Sequence, residues 1–307
     1  MTTHDYADVN GVRLHYASSG TGELLLFLHG FPEFWYAWRE QLDTFGRDGH
    51  YRAVAPDMRG YNLSSKPPEV AAYRRSALVE DVRALVARLG HARFTLVGHD
   101  WGGVVAWAFA LAHPDLLDRL VIVNAPHPAI FARELQRNPA QQAASQYMLT
   151  FRGPDAERLL AANNDAMLFD LMRGWGVHGD FLNAEDRTAY ATAWSQPGAL
   201  TGGLNYYRAS PLKPPASSED ARSDWAAPDP AALVVHVPTL VIWGERDRAL
   251  LTGNLDGLDQ FVPDLTVKRI PDGSHWVVHE QPALVDDYIR EFIIHERPLH
   301  HGDTEIF

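Results

Sequence analysis

The chain of 307 residues contains no cysteine. That absence excludes disulfide staples, thiolate metal sites and a cysteine nucleophile. Positive charge is also scarce: 27 Lys and Arg stand against 39 Asp and Glu, for a formal net charge of −12, and the cations form no cluster. An acidic chain without a basic patch speaks against nucleic acid or an anionic membrane as partner. No apolar run approaches the roughly 20 residues of a membrane span. The opening stretch, Met1 to Val12, is polar and lacks the basic and apolar regions of a secretory signal. A cytoplasmic protein with no membrane partner is the expectation.

What is present is a large apolar fraction, 46%, enough to bury a sizeable core. The length suits one core domain with an insertion, since domains usually run to roughly 100–200 residues. An Asn-Gly pair inside Asp8-Val9-Asn10-Gly11-Val12 signals a hairpin. Leu24 to Leu28, Tyr51 to Ala55, Phe94 to Val97 and Leu120 to Val123 read as strands, mostly continuous in apolar character and so buried on both faces. Between them, Ala77 to Leu89, stopped by Gly90, and a segment from about Val104 to Ala112 have helical character. Such alternation predicts an α/β fold, a mainly parallel sheet with helices on both faces.

From about Ala129 to Pro230 the rhythm changes. Helical segments dominate, at Gln141 to Thr150, Asp155 to Ala162, Ala166 to Met172 and Ala184 to Trp194. Pro211 to Pro230 is rich in Pro, Ala, Ser and Asp and reads as a linker. Strands resume at Thr239 to Ile242 and Thr266 to Ile270, and an amphipathic helix, Ala283 to Ile293, closes the fold before a tail after Pro298. The expected division is a core of residues 1–128 and 231–307 interrupted by a helical cap, 129–230. No repeat or low-complexity segment is present.

Gly98-His99-Asp100-Trp101-Gly102 has the form G-x-S-x-G with Asp in place of Ser. That motif is a strained strand-to-helix turn that lifts one side chain off the sheet. The helix N-terminus beyond it favours negative charge, which suits a carboxylate nucleophile. The competing reading is that Asp100 merely caps the helix; the flanking glycines after an apolar strand favour the nucleophile. His99 reads as a packed spacer. His29-Gly30-Phe31-Pro32 follows the first buried strand, so the N–H of Phe31, with that of Trp101, can face a developing oxyanion; an ordinary Gly-Pro loop is the plainer alternative, and His29 braces it. Trp243-Gly244-Glu245-Arg246-Asp247 and Gly273-Ser274-His275-Trp276 each follow a late strand, at the edge where ligands bind in open α/β sheets. Nucleophile, acid and histidine thus occur in the order Asp100, Asp247, His275, and Asp247 can orient and stabilise the imidazole.

These residues resemble the α/β-hydrolase superfamily, in the branch of epoxide hydrolases and haloacetate or haloalkane dehalogenases. The resemblance spans nearly the whole chain and also rests on Asp57-Met58-Arg59-Gly60-Tyr61 and Asn124-Ala125-Pro126-His127-Pro128. It implies the α/β-hydrolase fold with an inserted helical lid, no cofactor or metal, and a small epoxide plus water as substrates. It also implies two lid tyrosines that bind and protonate the epoxide oxygen. Tyr147 matches the first position; Tyr207, before Arg208, matches the second, with Tyr206 as competitor, and simple packing is the alternative for each. Phe34, Trp35, Met148, Phe151 and Trp175 suggest an apolar pocket. Dehalogenation is the alternative chemistry. The fluoroacetate enzymes place arginines where this chain has Trp101 and Val104, and haloalkane enzymes usually place Asn at the position of Phe31 or use lid tryptophans, here Trp175 or Trp194. A serine-type esterase does not fit, because a carboxylate attacking an ester gives an anhydride. A non-catalytic receptor on the same fold is the remaining class, although no triad member is missing. The oligomeric state stays open, a homodimer included.

Overall fold

A computed structural model describes residues 2–177, 181–216 and 229–294. Its eight-stranded sheet comprises β1 (Thr3–Val9), β2 (Val12–Gly20), β3 (Glu23–Leu28), β4 (Tyr51–Pro56), β5 (Phe94–His99), β6 (Leu117–Val123), β7 (Thr239–Gly244) and β8 (Leu265–Ile270), in the order β1-β2-β4-β3-β5-β6-β7-β8. β1 pairs antiparallel with β2, and β2 with β4; every other neighbour is parallel. The hairpin between β1 and β2 turns on Asn10 and Gly11, both at positive φ (47° and 74°), the backbone that an Asn-Gly pair tolerates. Alternation along β3 supplies both faces of the sheet: Leu24, Leu26 and Leu28 join one buried cluster, Leu25 and Phe27 the other.

The helices of the α/β frame are α1 (Arg39–Arg47), α2 (Arg75–Leu89) and α3 (Trp101–Ala112). Gly90, at φ 84°, ends α2 in a left-handed cap. Among the described residues the segment between β6 and β7 carries seven α-helices and no strand: α4 (Pro128–Arg137), α5 (Pro139–Ala144), α6 (Tyr147–Arg152), α7 (Ala156–Leu160), α8 (Ala162–Trp175), α9 (Ala184–Trp194) and α10 (Ala199–Ala209). Short α11 (Val277–Glu280) and then α12 (Pro282–Ile294) close the described chain. None of the helices among the described residues is long and apolar enough to cross a membrane.

The structure departs from the sequence-based expectations in the inserted helices. The helix expected over 141–150 is two: Asn138 caps the first, accepting from the N–H groups of Ala140 (3.0 Å) and Gln141 (3.4 Å), and the chain breaks at Ser145 and Gln146. The helix expected over 166–172 runs over Ala162–Trp175, and that expected over 155–162 spans only Ala156–Leu160. α3 starts at Trp101 rather than near Val104. Of the expected linker, 217–228 lies outside the described residues, as does the tail after Pro298.

α1, α4 and α10 were not anticipated. α10 escapes because it carries Gly202-Gly203, which lower helix propensity. Tertiary contact requires them: a Cβ on Gly202 would lie 2.3 Å from the carbonyl oxygen of Gly60, and one on Gly203 2.9 Å from the Phe31 ring. Helix α10 thereby lies directly on two loops at the carboxyl edge of the sheet. Gly202→Ala is expected to destabilise the protein by ~1–3 kcal/mol, the usual cost of overpacking, although alanine favours helix. Urea unfolding measures it; a gain in stability would contradict this account of the contact.

Candidate active site

The end of β5 delivers Asp100 at φ 50° and ψ −119°, a left-handed backbone that a non-glycine residue adopts only under constraint. Glycine makes the turn possible. A Cβ on Gly98 would lie 2.5 Å from the oxygen of Gly102, and one on Gly102 2.2 Å from the oxygen of Leu28. Asp100 stands at the cap position of α3, yet its side chain makes no capping bond to that helix. Its carboxylate instead meets the loop after β3: Oδ1 accepts from the N–H of Phe31 at 2.8 Å, and the nearby Trp101 N–H favours its charged form. Gly30 allows this approach, since a Cβ there would sit 2.4 Å from that of Asp100.

On the other side, Oδ2 of Asp100 lies 3.7 Å from Nε2 of His275. Nδ1 of His275 is 2.8 Å from Oδ2 of Asp247. Asp247 is fully engaged, accepting from the N–H groups of Ala249 (2.8 Å) and Leu250 (2.9 Å) and from the Asn124 amide (2.8 Å). Burial raises the pKa of Asp100 above the ordinary carboxylate value, against the pull of His275, His99 and the Phe31 and Trp101 N–H groups. Burial alone would lower that of His275, but Asp247, then Asp100 and Glu33, override it and push the imidazole up to about 9. His275 is therefore held as an imidazolium facing Asp100 at neutral pH.

The two tyrosines face this group from α6 and α10. Tyr147 and Tyr207 have ring centroids 6.1 Å apart, and Tyr207 packs edge-on against both Phe31 (5.4 Å) and Trp101 (5.0 Å). Burial, together with the charge of Asp100, raises both phenols well above their ordinary pKa, so each is a neutral O–H donor. Tyr206 is excluded from the same role by its own bond, since its hydroxyl donates to the carbonyl of Arg59 at 2.9 Å. Phe151 packs on Phe31, Tyr147 and Tyr207 (5.3, 5.4 and 5.1 Å), and Trp175 on Tyr147 and His275 (4.8 and 5.8 Å). Met148 is buried in the same core cluster. The other two expected pocket residues stand apart. Phe34 packs against Tyr190 (5.3 Å), and Trp35 turns back to His4 of the hairpin (4.8 Å), where its backbone N–H donates to Asp57 at 3.1 Å. Their place just after the Phe31 loop put them near the site in sequence, but the 3-10 turn at Trp35–Trp38 carries the chain away.

Sequence reasoning missed the buried supports. Asn124, at φ 40° after β6, donates to Asp247 and accepts from the N–H of Gly244 at 2.9 Å, so it locks β7 to the acid. Beneath the triad, Glu33 bridges Nδ1 of His99 (2.9 Å) and Nε2 of His279 (2.5 Å), while Nε2 of His99 bonds the carbonyl of His275 at 2.9 Å. Burial opposes the charge of Glu33, but the two histidines pull its pKa well below the ordinary value. Glu33 belongs to no quoted motif, and Asn124, although it opens the Asn124-Ala125-Pro126-His127-Pro128 segment, carried no assigned role. His29 ties two loops, bonding the carbonyl of Gly30 (2.9 Å) and accepting from the N–H of Met58 (3.0 Å).

A mainly parallel sheet, an aspartate at the strand–helix elbow after β5 and an Asp–His pair on the loops after β7 and β8 define a hydrolase of the α/β-hydrolase class. The family model described as alpha/beta hydrolase fold matches residues 23–282. An AB hydrolase superfamily protein of Bacillus subtilis is 36% identical, over 94% of this chain and 96% of its own length. Epoxide hydrolase 2 of Caenorhabditis elegans is also 36% identical, over 99% and 83%. The crystal structure of Bacillus megaterium epoxide hydrolase in complex with an inhibitor superposes with a TM-score of 0.86 at 40% identity, covering 94% of this chain and 99% of that one. The chain belongs to the α/β-hydrolase fold family, and within it to the epoxide hydrolases.

The raised pKa of His275 has a sign that can be checked. A proton held more tightly in the folded state adds stability below the ordinary pKa of 6.5, and that stability is lost as pH rises through about 9. Asp247→Asn removes the largest opposing influence to burial. The stability advantage of the wild type over this variant should therefore be greatest below about pH 6.5 and shrink towards pH 10. Urea unfolding across that range measures it; a constant difference would refute the charged pair.

Proposed function

We propose that this protein adds water to an epoxide, giving a vicinal diol through an alkyl ester on Asp100. The observation that carries the reading is the pair of neutral phenols, Tyr147 and Tyr207, near a carboxylate already held by the Phe31 N–H and facing an imidazole. Ring opening leaves oxygen on the product, so it needs an acid, and a phenol held neutral by burial can supply one.

Oδ1 of Asp100 is held by Phe31, which leaves Oδ2 as the attacking atom. It displaces the ring oxygen from one carbon while Tyr147 and Tyr207 hold that oxygen and one gives it a proton. Asp100 has now lost its charge, one of the influences that keep His275 protonated. The imidazolium returns a proton to the tyrosinate and becomes a base. Neutral His275, oriented by Asp247, takes a proton from water, which attacks Cγ of Asp100. The N–H groups of Phe31 and Trp101 stabilise the oxyanion on Oδ1. Collapse expels the diol oxygen, which takes its proton back from His275, and the acid proton on Asp100 passes to His275 to restore the resting pair. A serine ether, by contrast, would offer water no carbonyl. Residues 129–230 act as the cap and 1–128 with 231–307 as the core; Met148, Phe151 and Trp175 suit an apolar substrate.

The dehalogenase alternative gains no support. Phe stands at position 31, Trp and Val occupy 101 and 104, and the indole N–H of Trp194 already donates to the carbonyl of Pro32.

Two experiments test the reading. His275→Gln should still form the ester and fail to hydrolyse it, so mass spectrometry should find an adduct on Asp100 after an epoxide is added, and Asp100→Ala should be inert; normal turnover by either variant refutes the covalent route. Replacing both Tyr147 and Tyr207 with Phe should cost at least the roughly 10²-fold typical of a positioned acid, with each single variant retaining part of the activity. Efficient halide release by wild-type protein that ignores every aryl and alkyl epoxide would transfer the assignment to dehalogenation.

A further inference from the structure

The oxyanion loop, Gly30 to Glu33, is fixed at one end by the core. The N–H of Glu33 donates to the carbonyl of Gly30 at 3.0 Å, and His29 bonds that same carbonyl. Its middle is less well tied. Pro32 has no N–H to offer, and behind it lies a cavity of about 10 Å³ lined in part by Phe31, Pro32, Glu33, Phe34 and Trp194. A void forfeits the contacts that would otherwise hold the loop. Across that gap a bond arrives from α9: the indole N–H of Trp194 donates to the carbonyl of Pro32 at 2.6 Å, wholly buried.

Helix α9 is itself placed against the core. Asp186, in its first turn, pairs with Arg39 at 3.1 Å, and Tyr190 reaches Nε2 of His279 at 3.5 Å. The Trp194 ring is wedged between Phe169 (4.8 Å) and Tyr190 (5.5 Å). Its N–H is thus a rigid donor rather than a flexible one.

We propose that Trp194 is a positioning residue of the oxyanion hole: by holding the Pro32 carbonyl it aims the adjacent Phe31 N–H at Oδ1 of Asp100, and so couples an inserted helix to the hydrolytic half of the reaction. The inference rests on the ester mechanism above. Negative charge on Oδ1 falls when Asp100 is alkylated and returns when water attacks the ester. A donor aimed at Oδ1 therefore favours the second step and does nothing to speed the first. Loosening it should slow hydrolysis alone.

The test uses Trp194→Phe, and replacement of Trp194 by benzothienylalanine, in which sulfur takes the place of the indole N–H with the ring packing kept. Rapid-quench kinetics with styrene oxide separate the two steps. Ester formation should stay within about threefold of wild type, while ester hydrolysis should slow about tenfold, part of the 10²–10³ that complete loss of an oxyanion donor costs. In the steady state kcat and KM should then fall together with kcat/KM preserved, and alkylated enzyme should accumulate. A merely structural tryptophan would lower both steps, or neither. Either result with the benzothienyl variant overturns the proposal, even if Trp194→Phe fails to fold. Turnover that survives in Asp100→Ala, or its absence in wild type with every epoxide, would instead overturn the mechanism beneath it.

Discussion

The constraint on which the site depends is the close crossing of two loops, the one after β3 and the one after β5. Glycines at 30, 98 and 102 let the backbones meet where no Cβ would fit, and Asp100 takes a left-handed φ to face the gap. The gain is geometric. An N–H that would otherwise be a buried orphan finds a carboxylate, and a carboxylate that would otherwise be an unpaired buried charge finds donors. The strain at Asp100 is sustained by packing from α3, the sheet and the loop at once.

Buried charge then has to be balanced outward from that point. Asp100 faces His275, His275 faces Asp247, and Asp247 is covered by Asn124 and two N–H groups. A second chain, His279–Glu33–His99, runs beneath and ends on the carbonyl of His275. Breaking a buried pair leaves its partner uncompensated, which is why such networks tolerate little. The inserted helices add neutral groups to this charged floor: Tyr147, Tyr207, Phe151 and Trp175 supply rings and hydroxyls and no further charge.

The sheet was legible in the sequence because its signal is local. Leu24 to Leu28 and Phe94 to Val97 are unbroken apolar runs, and glycines mark the turns after them. Asp100, Asp247 and His275 could be named since each lies within a few residues of a strand end, near a glycine in the turn, and the structure brings those three within hydrogen-bonding or ion-pair distance. The inserted helices were less legible. α10 was missed because Gly202 and Gly203 answer to Gly60 and Phe31, more than a hundred residues away in sequence. Tyr207 could still be named from its neighbours, but only Tyr206's bond to Arg59 separates the two adjacent tyrosines, and that bond is tertiary. Glu33, Asn124 and the Trp194 donor are tertiary in the same sense. Trp35 shows the converse error, proximity in sequence mistaken for proximity in space.

The electrostatics also bear on the order of events. A histidine held at about 9 is a poor base at neutral pH, which would count against His275 if its surroundings were fixed. Under the proposed mechanism they are not fixed, because one of the charges that hold its proton belongs to Asp100, the group that ester formation would neutralise. The imidazolium would face a carboxylate before attack, and ester formation would remove one of the influences that hold its proton, leaving Asp247 and Glu33 in place. Asp247 keeps the ring oriented throughout, since its two peptide donors and Asn124 are untouched by the chemistry. Sequence order alone supplies the three residues; the 3.7 Å between Asp100 and His275 is what adds the charge of one to the influence of Asp247 on the protonation of the other.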